Sequence, residues 1–553
     1  MFLGTSDFNK IIESGGLFVD KTLFIKEFIE SKTEVDVILR PRRFGKSTNL
    51  KMLQSFLSRS TSSNMGSIKQ FFESSLIGQD RKFMTQHFCQ YPVVFLSLKN
   101  CGGDSWPEMK TELWSCIRDM CRPHLPEISM ASEFAEVNFN SFSAPDLAIM
   151  KELMLRLMEF LCDKSGGKRV VVLVDEYDAP LNRAFQNGFY GEASSFFSRF
   201  FTRALKDNTY LQKACFLGIV EVQGANILST LNNMCVYSVR SNEFSSCFGF
   251  TVEEIQKVVD CEETVSRILA WYNGYTIGTR TVVNPWSFLS SIRFGRFESF
   301  WIDTSFTGTI THTLKPHMKN MLLQTFQLLF DPDPVRVPTL CSKVDYSSDS
   351  TSVVAVLHFL VHAGYLSYCT KDDFIGLLRI PNYEVRQHWQ KHVVEMVRNT
   401  LFVEGSDSQM RLQESFTAVP FSKHDLETSM GELLNSSLSY MDTKSENSYH
   451  CFYLGCFQTA FDKLPNFSVD SNRESGTGRY DIVVAIEQIR RVFIFELKKS
   501  KSQAQLKGMA QLALNQAMEK DYAAKFKGYQ CFVIGVAFFH KTMSELEVKV
   551  LNN

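Results

Sequence analysis

The sequence predicts an α/β protein: a parallel-sheet domain comes first, a helical, winged-helix-like region follows, and a second α/β domain ends the chain. In the first half, apolar β-branched runs alternate with long amphipathic segments, which is typical of the strands and helices of a parallel sheet. The middle consists mainly of segments with helical spacing. The C-terminal part again alternates short apolar runs with helical patterns.

Composition places the chain among ordinary globular proteins. It has 553 residues, of which 44% are hydrophobic and 22% charged, enough for roughly two to four domains. The 48 phenylalanines predict aromatic-rich cores. Because the formal net charge is only −1, no overall field attracts nucleic acid, and such contacts would depend on local patches.

We expect an intracellular protein, cytoplasmic or nuclear, without a membrane partner. The N-terminus lacks the basic and apolar segments of a signal peptide, and no apolar run is long enough to span a bilayer. The 14 cysteines include no CxxC pair, and scattered cysteines without a secretory signal fit a reducing compartment.

The first candidate site follows the strand predicted at 35–40, VDVILR, and precedes a helix that begins at Lys46. A loop in this position can bind phosphates through backbone N–H groups and the helix N-terminus. Glycine allows close approach, lysine adds a mobile positive charge, and a hydroxyl reaches Mg²⁺. Gly45, Lys46 and Ser47 meet these requirements. Arg40, however, stands where the general pattern has its first glycine.

A second strand, in KRVVVLVDEYDAPL (168–181), ends abruptly in acidic residues. At this position Asp175 can hold Mg²⁺, usually through water, and Glu176 can polarise an attacking water as a general base. The alternative is an acidic surface turn, which is common after a single strand. The phosphate loop and the acidic strand end occur together and in the right order, which favours a nucleotide site.

The two arginines of the loop leave two interpretations open. Arg42 and Arg43 would add positive charge against the phosphates, or they would contact a neighbouring acidic helix or another chain. The sequence favours neither interpretation.

The other apolar runs complete the predicted organisation. YPVVFLSL (91–98) and KACFLGIV (213–220) are predicted strands, a long helical region is predicted over 105–163, and a hairpin is predicted within 365–382. The predicted domains are a parallel-sheet domain at 1–290, a helical winged-helix-like region at 291–390, a helical connector at 391–440 and an α/β domain at 441–553.

A second candidate site lies in the C-terminal runs GRYDIVVAI and FIFELKK. Glu496 and Lys498 share one face of a strand because residues two apart point the same way, and a hairpin would bring Asp481 close to Glu496. Two carboxylates on adjacent strands can bind Mg²⁺ or Mn²⁺, which activates water for phosphodiester cleavage. The alternative is an exposed polar face on an edge hairpin. However, these carboxylates interrupt strongly apolar strands, where a buried charge costs free energy unless it is paired or binds a metal.

A Gln-rich, basic helix follows this candidate site. Its residues Gln511, Gln516, Lys520 and Tyr522 would reach phosphates or order a metal-bound water. The polar side of this helix would equally suit plain solvated surface.

Together these motifs resemble one family nearly from end to end: the AAA-ATPase-like proteins with a C-terminal PD-(D/E)XK nuclease-superfamily domain. The N-terminal matches are GGLFVDKTLFIKEFIE, LRPRRFGKSTNLKML, VLVDEYDAPL, WYNGY, NPWSFL and IPNYEV. The C-terminal matches are SYHCFYLG, SNRESGTGRYDIV, FIFELKK and ALNQAMEKDYAAKF. In this family RPRRFGKS is the usual form of the loop, which accounts for Arg40.

For the first domain, the resemblance implies a P-loop NTPase fold that binds ATP and Mg²⁺. The resemblance implies that Gly45, Lys46 and Ser47 bind ATP and that Asp175 and Glu176 form the acidic pair. We predict Arg43, Thr48 and Asp175 as further nucleotide-binding residues, Ser47 and Asp175 as Mg²⁺ ligands, and Glu176 as the catalytic general base.

For the last domain, the resemblance implies a restriction-endonuclease-like α/β fold with a metal-dependent nuclease site. Asp481, Glu496 and Lys498 match the catalytic positions, with Asp481 and Glu496 as metal ligands. Glu446 stands where the superfamily often has an acid on a helix.

The chain departs from the family pattern at one position. After the strand CFLGI the family usually has a basic residue near the position of Glu221. If that residue senses the γ-phosphate, ATP hydrolysis by this chain would be slow or would need an arginine from a partner.

The sequence therefore predicts an ATP-regulated DNA-processing or defence protein, in which ATP binding rearranges the middle region and licenses the nuclease. A homo-oligomer through the ATPase domain fits this prediction. The alternative is a nucleotide-switched protein that binds nucleic acid or a partner through an inactive nuclease fold. A third reading is a purely structural ATP-binding scaffold.

Overall fold

The computed structural model describes most of the chain. The described residues are 5–59, 65–223, 232–301, 329, 334–339, 343–345, 353–371, 374–389, 407–437, 446–461, 466–471, 474–475, 478–540 and 542–552. Two compact units comprise residues 1–313 with 336–384 and residues 314–335 with 385–553. The domain boundaries expected from the sequence stay predictions, and 391–406 and 438–445 lie outside the described residues.

A five-stranded parallel sheet forms the centre of the first unit. Its strands, in spatial order, are β2 (Val93–Ser97), β3 (Val170–Asp175), β4 (Leu211–Gly218), β1 (Val35–Leu39) and β6 (Met234–Tyr237). Every residue of β1 and β3 is buried, as expected for central strands of apolar residues. The carboxyl ends of β1 and β3 therefore meet at one edge of the sheet, with β4 between them.

Helices cover both faces of this sheet. The helices of the first unit are α1 (Phe8–Glu13), α2 (Leu23–Glu30), α3 (Lys46–Leu57), α4 (Met65–Ser74), α5 (Arg81–His87), α6 (Trp106–Cys121), α7 (Leu125–Ile128), α8 (Leu147–Lys164), α9 (Ala179–Gln186), α10 (Tyr190–Leu205), α11 (Val252–Gln256), α12 (Glu262–Tyr272), α13 (Pro285–Phe294) and α14 (Val353–Ala363). Alternate strand side chains pack on α6, α8 and α10 on one face and on α2, α3 and α4 on the other. Each fully buried Val, Leu or Phe stabilises this core by about 1.5–3 kcal/mol.

Short strands surround the sheet. They are β5 (Glu221–Gln223), β7 (Tyr275–Ile277), β8 (Arg280–Val282), β9 (Val335–Pro338), β10 (Lys343–Asp345), β11 (Ser367–Thr370) and β12 (Ile375–Arg379). Strands β11 and β12 form the antiparallel hairpin that the sequence predicts within 365–382. Strand β5, directly after the loop that follows β4, pairs in parallel with β10.

Helix α13 has well-defined ends. The side chain of Asn284 accepts the N–H of Ser287, and Pro285 begins the helix, an arrangement that stabilises a helix N-terminus by about 1 kcal/mol. Gly295 ends the helix with φ 65°, a left-handed conformation that glycine adopts without steric cost. These ends fix where the following segment, up to Trp301, leaves the helix.

The second unit contains a six-stranded mixed sheet and a small two-stranded one. The strands are β13 (Phe467–Ser471), β14 (Glu474–Ser475), β15 (Gly478–Arg479), β16 (Ile482–Ile486), β17 (Arg491–Lys499), β18 (Gln530–Phe539), β19 (Thr542–Met543) and β20 (Glu547–Asn552). The helices are α15 (Asp407–Thr417), α16 (Lys423–Ser437), α17 (Glu446–Phe461) and α18 (Leu506–Glu519). Strands β16 and β17 form the predicted hairpin, and α18 connects the parallel pair β17 and β18.

The two sides of the mixed sheet have different cores. Aliphatic residues of β16, β17 and β18 pack against α18 on one side. On the other side phenylalanines dominate: Phe416 of α15 lies 4.8 Å from Phe493, and Phe457 of α17 lies 5.1 Å from Phe495 (ring centroids). The aromatic-rich core that the composition predicts is found here, since such ring pairs stabilise a core beyond the area they bury.

Candidate functional site

The phosphate loop connects β1 to α3, as the sequence predicts. Gly45 precedes α3 with φ 80°, and Arg43 also has a positive φ of 63°. An added Cβ at Gly45 would meet no atom within 4 Å, so backbone conformation and not space requires glycine there. Helix α3 has no side-chain cap at its N-terminus, which leaves its first N–H groups without a side-chain acceptor.

Lys46 is buried inside this loop. Its Nζ donates hydrogen bonds to the carbonyl oxygens of Arg40, at 3.0 Å, and Pro41, at 2.8 Å. Burial lowers the pKa of Lys46, and the nearby carboxylates of Glu176 and Asp178 oppose this effect. The ammonium group therefore donates to neutral carbonyl oxygens. A phosphate oxygen, which is charged, would be a stronger acceptor for it.

The acidic end of β3 lies beside the loop. Asp175 is 3% exposed and forms a hydrogen bond with the side chain of Ser47. Burial raises the pKa of Asp175, and Ser47 and Lys46 lower it in part. Oδ1 of Asp175 is buried and has no hydrogen-bond partner. The structure thus brings together Lys46, Ser47 and Asp175, and Thr48 follows in the first turn of α3.

Glu176 has an unusual backbone. Its φ is 53°, a left-handed conformation that costs a non-glycine residue energy and occurs often at functional sites. Burial raises the pKa of its carboxyl group, and the neighbouring charge of Asp175 raises it further. A carboxyl group with a raised pKa next to a phosphate loop has the properties of a general base.

Asp178 is a site residue that the sequence reasoning did not assign. Its Oδ2 accepts the N–H groups of Ile219, at 2.9 Å, and Val220, at 3.0 Å, so it fixes the loop after β4. Gly218, the last residue of β4, packs against the neighbouring Tyr177. A Cβ at this position would lie 2.5 Å from the ring of Tyr177. The signal was present in DEYD, whose second aspartate follows the same strand end.

Glu221, the position that departs from the family pattern, is 8% exposed. It begins β5, where it pairs with Lys343 of β10 in the strand register. A buried carboxylate thus stands two residues after Ile219, where the resemblance leads one to expect a basic side chain.

Arg40 is fully buried and serves as a cross-link. Its guanidinium donates to the main-chain carbonyl oxygens of Leu39, Tyr237, Ser238, Glu243 and Phe244. Burial lowers its pKa to about 10, which still leaves it charged at neutral pH. This arginine therefore ties the start of the phosphate loop to the segment after β6.

Arg42 and Arg43 are exposed and lie against the segment after α13. The guanidinium of Arg43 donates to the carbonyl oxygen of Phe300 at 2.9 Å and lies 5.0 Å from the ring centre of Trp286. The carbonyl oxygen of Arg42 accepts the indole N–H of Trp301 at 3.1 Å. Both interpretations of these arginines stay predictions.

In the second unit, the β16–β17 hairpin brings the predicted carboxylates together. Asp481 directly precedes β16, and its Oδ2 accepts the N–H of Leu497 at 2.8 Å. Glu496 of β17 is 2% exposed, and Nζ of Lys498 lies 3.4 Å from its Oε1. Phe495 and Leu497, which alternate with these residues along β17, are buried as well.

Two further elements complete this cluster. Glu446, at the start of α17, accepts Lys498 Nζ at 3.2 Å and the N–H of Lys499 at 3.3 Å. From α18, Gln516 donates to Oε1 of Glu496. Tyr522 is buried, and burial raises the pKa of its hydroxyl group. The nearby charge of Glu496 raises that pKa further.

The remaining two polar residues that the sequence singled out are Gln511 and Lys520. Gln511 is exposed and donates to Asn515 at 3.0 Å, and Lys520 follows the last residue of α18. Both interpretations of these two residues stay predictions.

The electrostatics of the second site centre on Glu496. Burial and then the charge of Asp481 raise its pKa to about 8, although Lys498 opposes this. Its Oε2 is buried and has no hydrogen-bond partner. In the part of the chain that the structure describes, no three His, Cys, Asp or Glu side chains are grouped to hold a metal. A metal bound by two carboxylates would keep several water ligands, as Mg²⁺ prefers.

His450 of α17 is a contact that the sequence reasoning missed. Its Nε2 lies 2.9 Å from the carbonyl oxygen of Asp481 and 3.1 Å from Oγ of Ser471. Asp481 is thus held through its carbonyl by α17 and through its side chain by β17. A histidine inside the apolar helix SYHCFYLG was the signal, because buried polar side chains require partners.

The two folds match those expected of a two-part class, an AAA-ATPase-like domain joined to a domain of the PD-(D/E)XK nuclease superfamily. A family model described as "Predicted AAA-ATPase" matches residues 2–228, and one described as "PD-(D/E)XK nuclease superfamily" matches residues 444–547. These matches confirm the architecture and the fold class expected from the sequence.

One relative matches the chain over nearly its whole length. It is an uncharacterised protein in the vnfD 5′ region of Azotobacter chroococcum mcd 1, 26% identical over 581 residues, with 98% of this chain and 97% of the relative covered. The similarity therefore extends beyond the two matched domains.

Membrane insertion through a helix finds no support in the described residues. None of the helices there has both the length and the apolar character that crossing a bilayer requires.

Proposed function

We propose that the first unit binds ATP at the phosphate loop. The observation that carries this proposal is the hydrogen bond between Ser47 and the buried Asp175, whose Oδ1 has no partner. A buried carboxylate oxygen without a hydrogen bond is costly unless a ligand satisfies it. Mg²⁺, when bound there, would neutralise phosphate charge. The residues that we assign to the nucleotide and its metal are Arg43, Gly45, Lys46, Ser47, Thr48 and Asp175.

We assign hydrolysis to Glu176. Its carboxyl group would accept the proton of the attacking water, for which its raised pKa is suited. Lys46 would exchange the carbonyls of Arg40 and Pro41 for phosphate oxygens. Because Glu221 stands where the family has a basic residue, we expect slow turnover by the chain alone or dependence on an arginine from a second copy.

The test separates binding from turnover. Lys46→Ala removes the charged donor that we assign to the phosphate oxygens, and ATP affinity should fall roughly 10- to 100-fold. Glu176→Gln should retain affinity and lower the hydrolysis rate roughly 10²- to 10⁴-fold. Lys69→Ala, at an exposed lysine paired with Glu73, is the matched control. Unchanged ATP affinity in Lys46→Ala would show that the nucleotide binds elsewhere.

We further propose that the second unit cleaves phosphodiester bonds, with DNA as substrate in a processing or defence role. Support comes from the meeting of Asp481, Glu496 and Lys498 and from the unpartnered Oε2 of Glu496. Mg²⁺ held by Asp481 and Glu496 would activate water and stabilise the phosphate in the transition state. Lys498, positioned by Glu446, would orient the nucleophile or offset negative charge.

The nuclease test uses the full chain on linear DNA with Mg²⁺, in the presence and absence of ATP. Asp481→Asn and Glu496→Gln should each abolish cleavage, whereas Gln511→Ala, at an exposed position of α18, should not. Binding of Mn²⁺ measured by electron paramagnetic resonance gives a second readout and should weaken in both carboxylate variants. The mechanism is wrong if the double variant Glu496→Ala with Lys498→Ala cleaves like the unaltered protein.

One observation favours a second candidate function, in which a nucleotide-switched protein holds nucleic acid or a partner without cutting. Burial and the charge of Asp481 raise the pKa of Glu496, and a carboxyl group must lose its proton before it can hold a metal. Binding of DNA without cleavage between pH 7 and 9, in either Mg²⁺ or Mn²⁺, would support this candidate. Cleavage that depends on Asp481 and Glu496 would exclude it.

A further inference from the structure

A buried carboxylate organises the segment Ser299–Trp301, which we call the clasp. Oε1 of Glu384 accepts the N–H groups of both Phe300 and Trp301, each at 2.7 Å. Its Oε2 accepts the hydroxyl of Ser287, in α13, at 2.8 Å. Glu384 is fully buried, and a carboxylate in such a place needs several donors to offset its lost hydration.

The clasp is joined directly to the phosphate loop. Trp301 donates its indole N–H to the carbonyl oxygen of Arg42 at 3.1 Å. The carbonyl oxygen of Phe300 accepts both Arg43, at 2.9 Å, and the indole N–H of Trp286, at 3.1 Å. One short segment therefore contacts the loop on one side and Glu384 on the other.

Gly364 packs closely against both the loop and the clasp. A Cβ at Gly364 would lie 2.9 Å from Cβ of Pro41 and 3.2 Å from the ring of Trp301. The ring of Tyr365 lies 4.8 Å from that of Trp301, between centroids. A displaced loop would therefore shift Trp301 as well, since packed interiors do not deform freely.

Arg43 is the contact that a nucleotide would change. Its present acceptor is a neutral carbonyl oxygen, whereas phosphate oxygens accept charge-assisted, often bidentate bonds from a guanidinium that are roughly twice as strong. The side chain is exposed, so it can leave Phe300 without opening the core.

We propose that the clasp couples the phosphate loop to Glu384, so that a bound nucleoside triphosphate draws Arg43 from Phe300 and loosens the clasp. Glu384 is the last residue of the first unit, and from Val385 onward the chain belongs to the second. Nucleotide binding at the loop thereby changes the contacts of Glu384, where the chain passes into the nuclease-like unit. Glu384 acts as a positioning residue, and the inference rests on the proposed binding of ATP.

Amide hydrogen exchange of the full chain tests this directly, because the N–H groups of Phe300 and Trp301 are the bonds to Glu384. Addition of ATP with Mg²⁺ should speed exchange at these two amides about fivefold, the effect of one lost hydrogen bond. Lys46→Ala should remove the response. If the protein binds ATP and both amides exchange as before, the coupling is overturned; if it binds no ATP, the proposed function falls with it.

Two variants examine the clasp without nucleotide. Arg43→Ala, at an exposed side chain, and Glu384→Gln, which keeps the shape of the side chain, should each speed exchange at Phe300 and Trp301 by a similar factor. Arg293→Ala, at an exposed arginine of α13, should leave both amides unchanged. Should Glu384→Gln fail to fold, Arg43→Ala still decides, and equal exchange in Arg43→Ala and the unaltered protein contradicts the proposal.

Discussion

Arg40 replaces a glycine of the general phosphate-loop pattern, and its surroundings explain how the loop keeps its shape. Five carbonyl oxygens accept its guanidinium, and an arginine satisfies several acceptors at once because its donors are arranged in a fixed planar fork. The loop therefore gains a rigid cross-link to the segment after β6 where other loops have a flexible residue.

Loss of this cross-link should be costly. We predict that Arg40→Ala lowers the free energy of unfolding by at least about 3 kcal/mol, because several buried carbonyl groups lose their donor. Urea unfolding followed by circular dichroism measures this. Arg81→Ala, at an exposed arginine, should stay within about 0.5 kcal/mol of the unaltered protein. A small effect of Arg40→Ala would mean that water replaces the guanidinium.

Glu384 gives the first unit a dependence on pH. Burial raises its pKa from 4.5 to about 7, with Trp301, Ser287 and Arg43 opposing the shift. Between these two values the folded state binds more protons than the unfolded chain, so this contribution to stability falls as pH rises to about 7 and is constant above. Once Glu384 is fully ionised, the free energy of unfolding is lower by about 3 kcal/mol than it is when Glu384 is protonated.

We therefore predict that Glu384→Gln removes a decline in stability between pH 5 and 7. Unfolding midpoints in urea, measured for both proteins across this range, provide the comparison. The difference between variant and unaltered protein should grow in favour of the variant as pH rises. A constant difference would mean that Glu384 titrates near its ordinary value.

At the residue scale, the sequence predicted the candidate catalytic and binding residues better than the residues that position them. Lys46, Ser47 and Asp175 could be predicted to meet, because strand ends of a parallel sheet share an edge. Glu384 and His450 could not be assigned, because each acts on a backbone group that is distant in the chain. No local pattern records such a partner.

At the scale of elements, α18 approaches the sheet unusually closely at Gly535 of β18. A Cβ there would lie 2.3 Å from the carbonyl oxygen of Ala510 and 2.4 Å from the backbone N of Leu514. Gly535 pairs with Glu496 in the register of β17 and β18. The missing side chain thus lets α18 bring Gln516 to Glu496.

We predict that Gly535→Ala destabilises the second unit by about 1–3 kcal/mol, since the helix must move away from the strand. Thermal unfolding measures this, and loss of metal-dependent cleavage should accompany it. Gly508→Ala is the matched control, because a Cβ there meets nothing within 4 Å and alanine favours a helix by up to about 1 kcal/mol. Equal stability of the two variants would contradict the close-packing argument.

The strands were predicted more closely than the long helices. Apolar β-branched runs define β1, β3 and β4 to within a few residues. The helical region expected over 105–163 instead divides into α6, the short α7 and α8. Pro123 and Pro126 lie at the division, and proline lacks the N–H that a helix interior requires.

At the scale of the whole molecule, two compact units carry the two candidate sites. A ligand that binds only the folded state stabilises it by an amount set by its concentration, about 2.7 kcal/mol at 100 times the dissociation constant. We predict that ATP with Mg²⁺ raises the unfolding temperature of the first unit in calorimetry. Lys46→Ala should respond much less, whereas Asp481→Asn should respond fully.

The result that contradicts this prediction is equal stabilisation of the unaltered protein and Lys46→Ala. A homo-oligomer through the ATPase domain stays a prediction, and light scattering with and without ATP would measure it. A second copy that supplies an arginine to the site would make the hydrolysis rate depend on protein concentration.

The sequence by itself determined the class of fold and the order of its parts and predicted most residues of both candidate sites, because apolar periodicity and short motifs are local properties of a chain. The tertiary structure alone decided what holds those residues. It placed Arg40 on five carbonyls, Asp178 on the loop after β4, Gly535 under α18, and Glu384 behind the clasp. Each of these contacts joins residues far apart in the chain, and only folding specifies which distant groups satisfy a buried charge or fit a close approach.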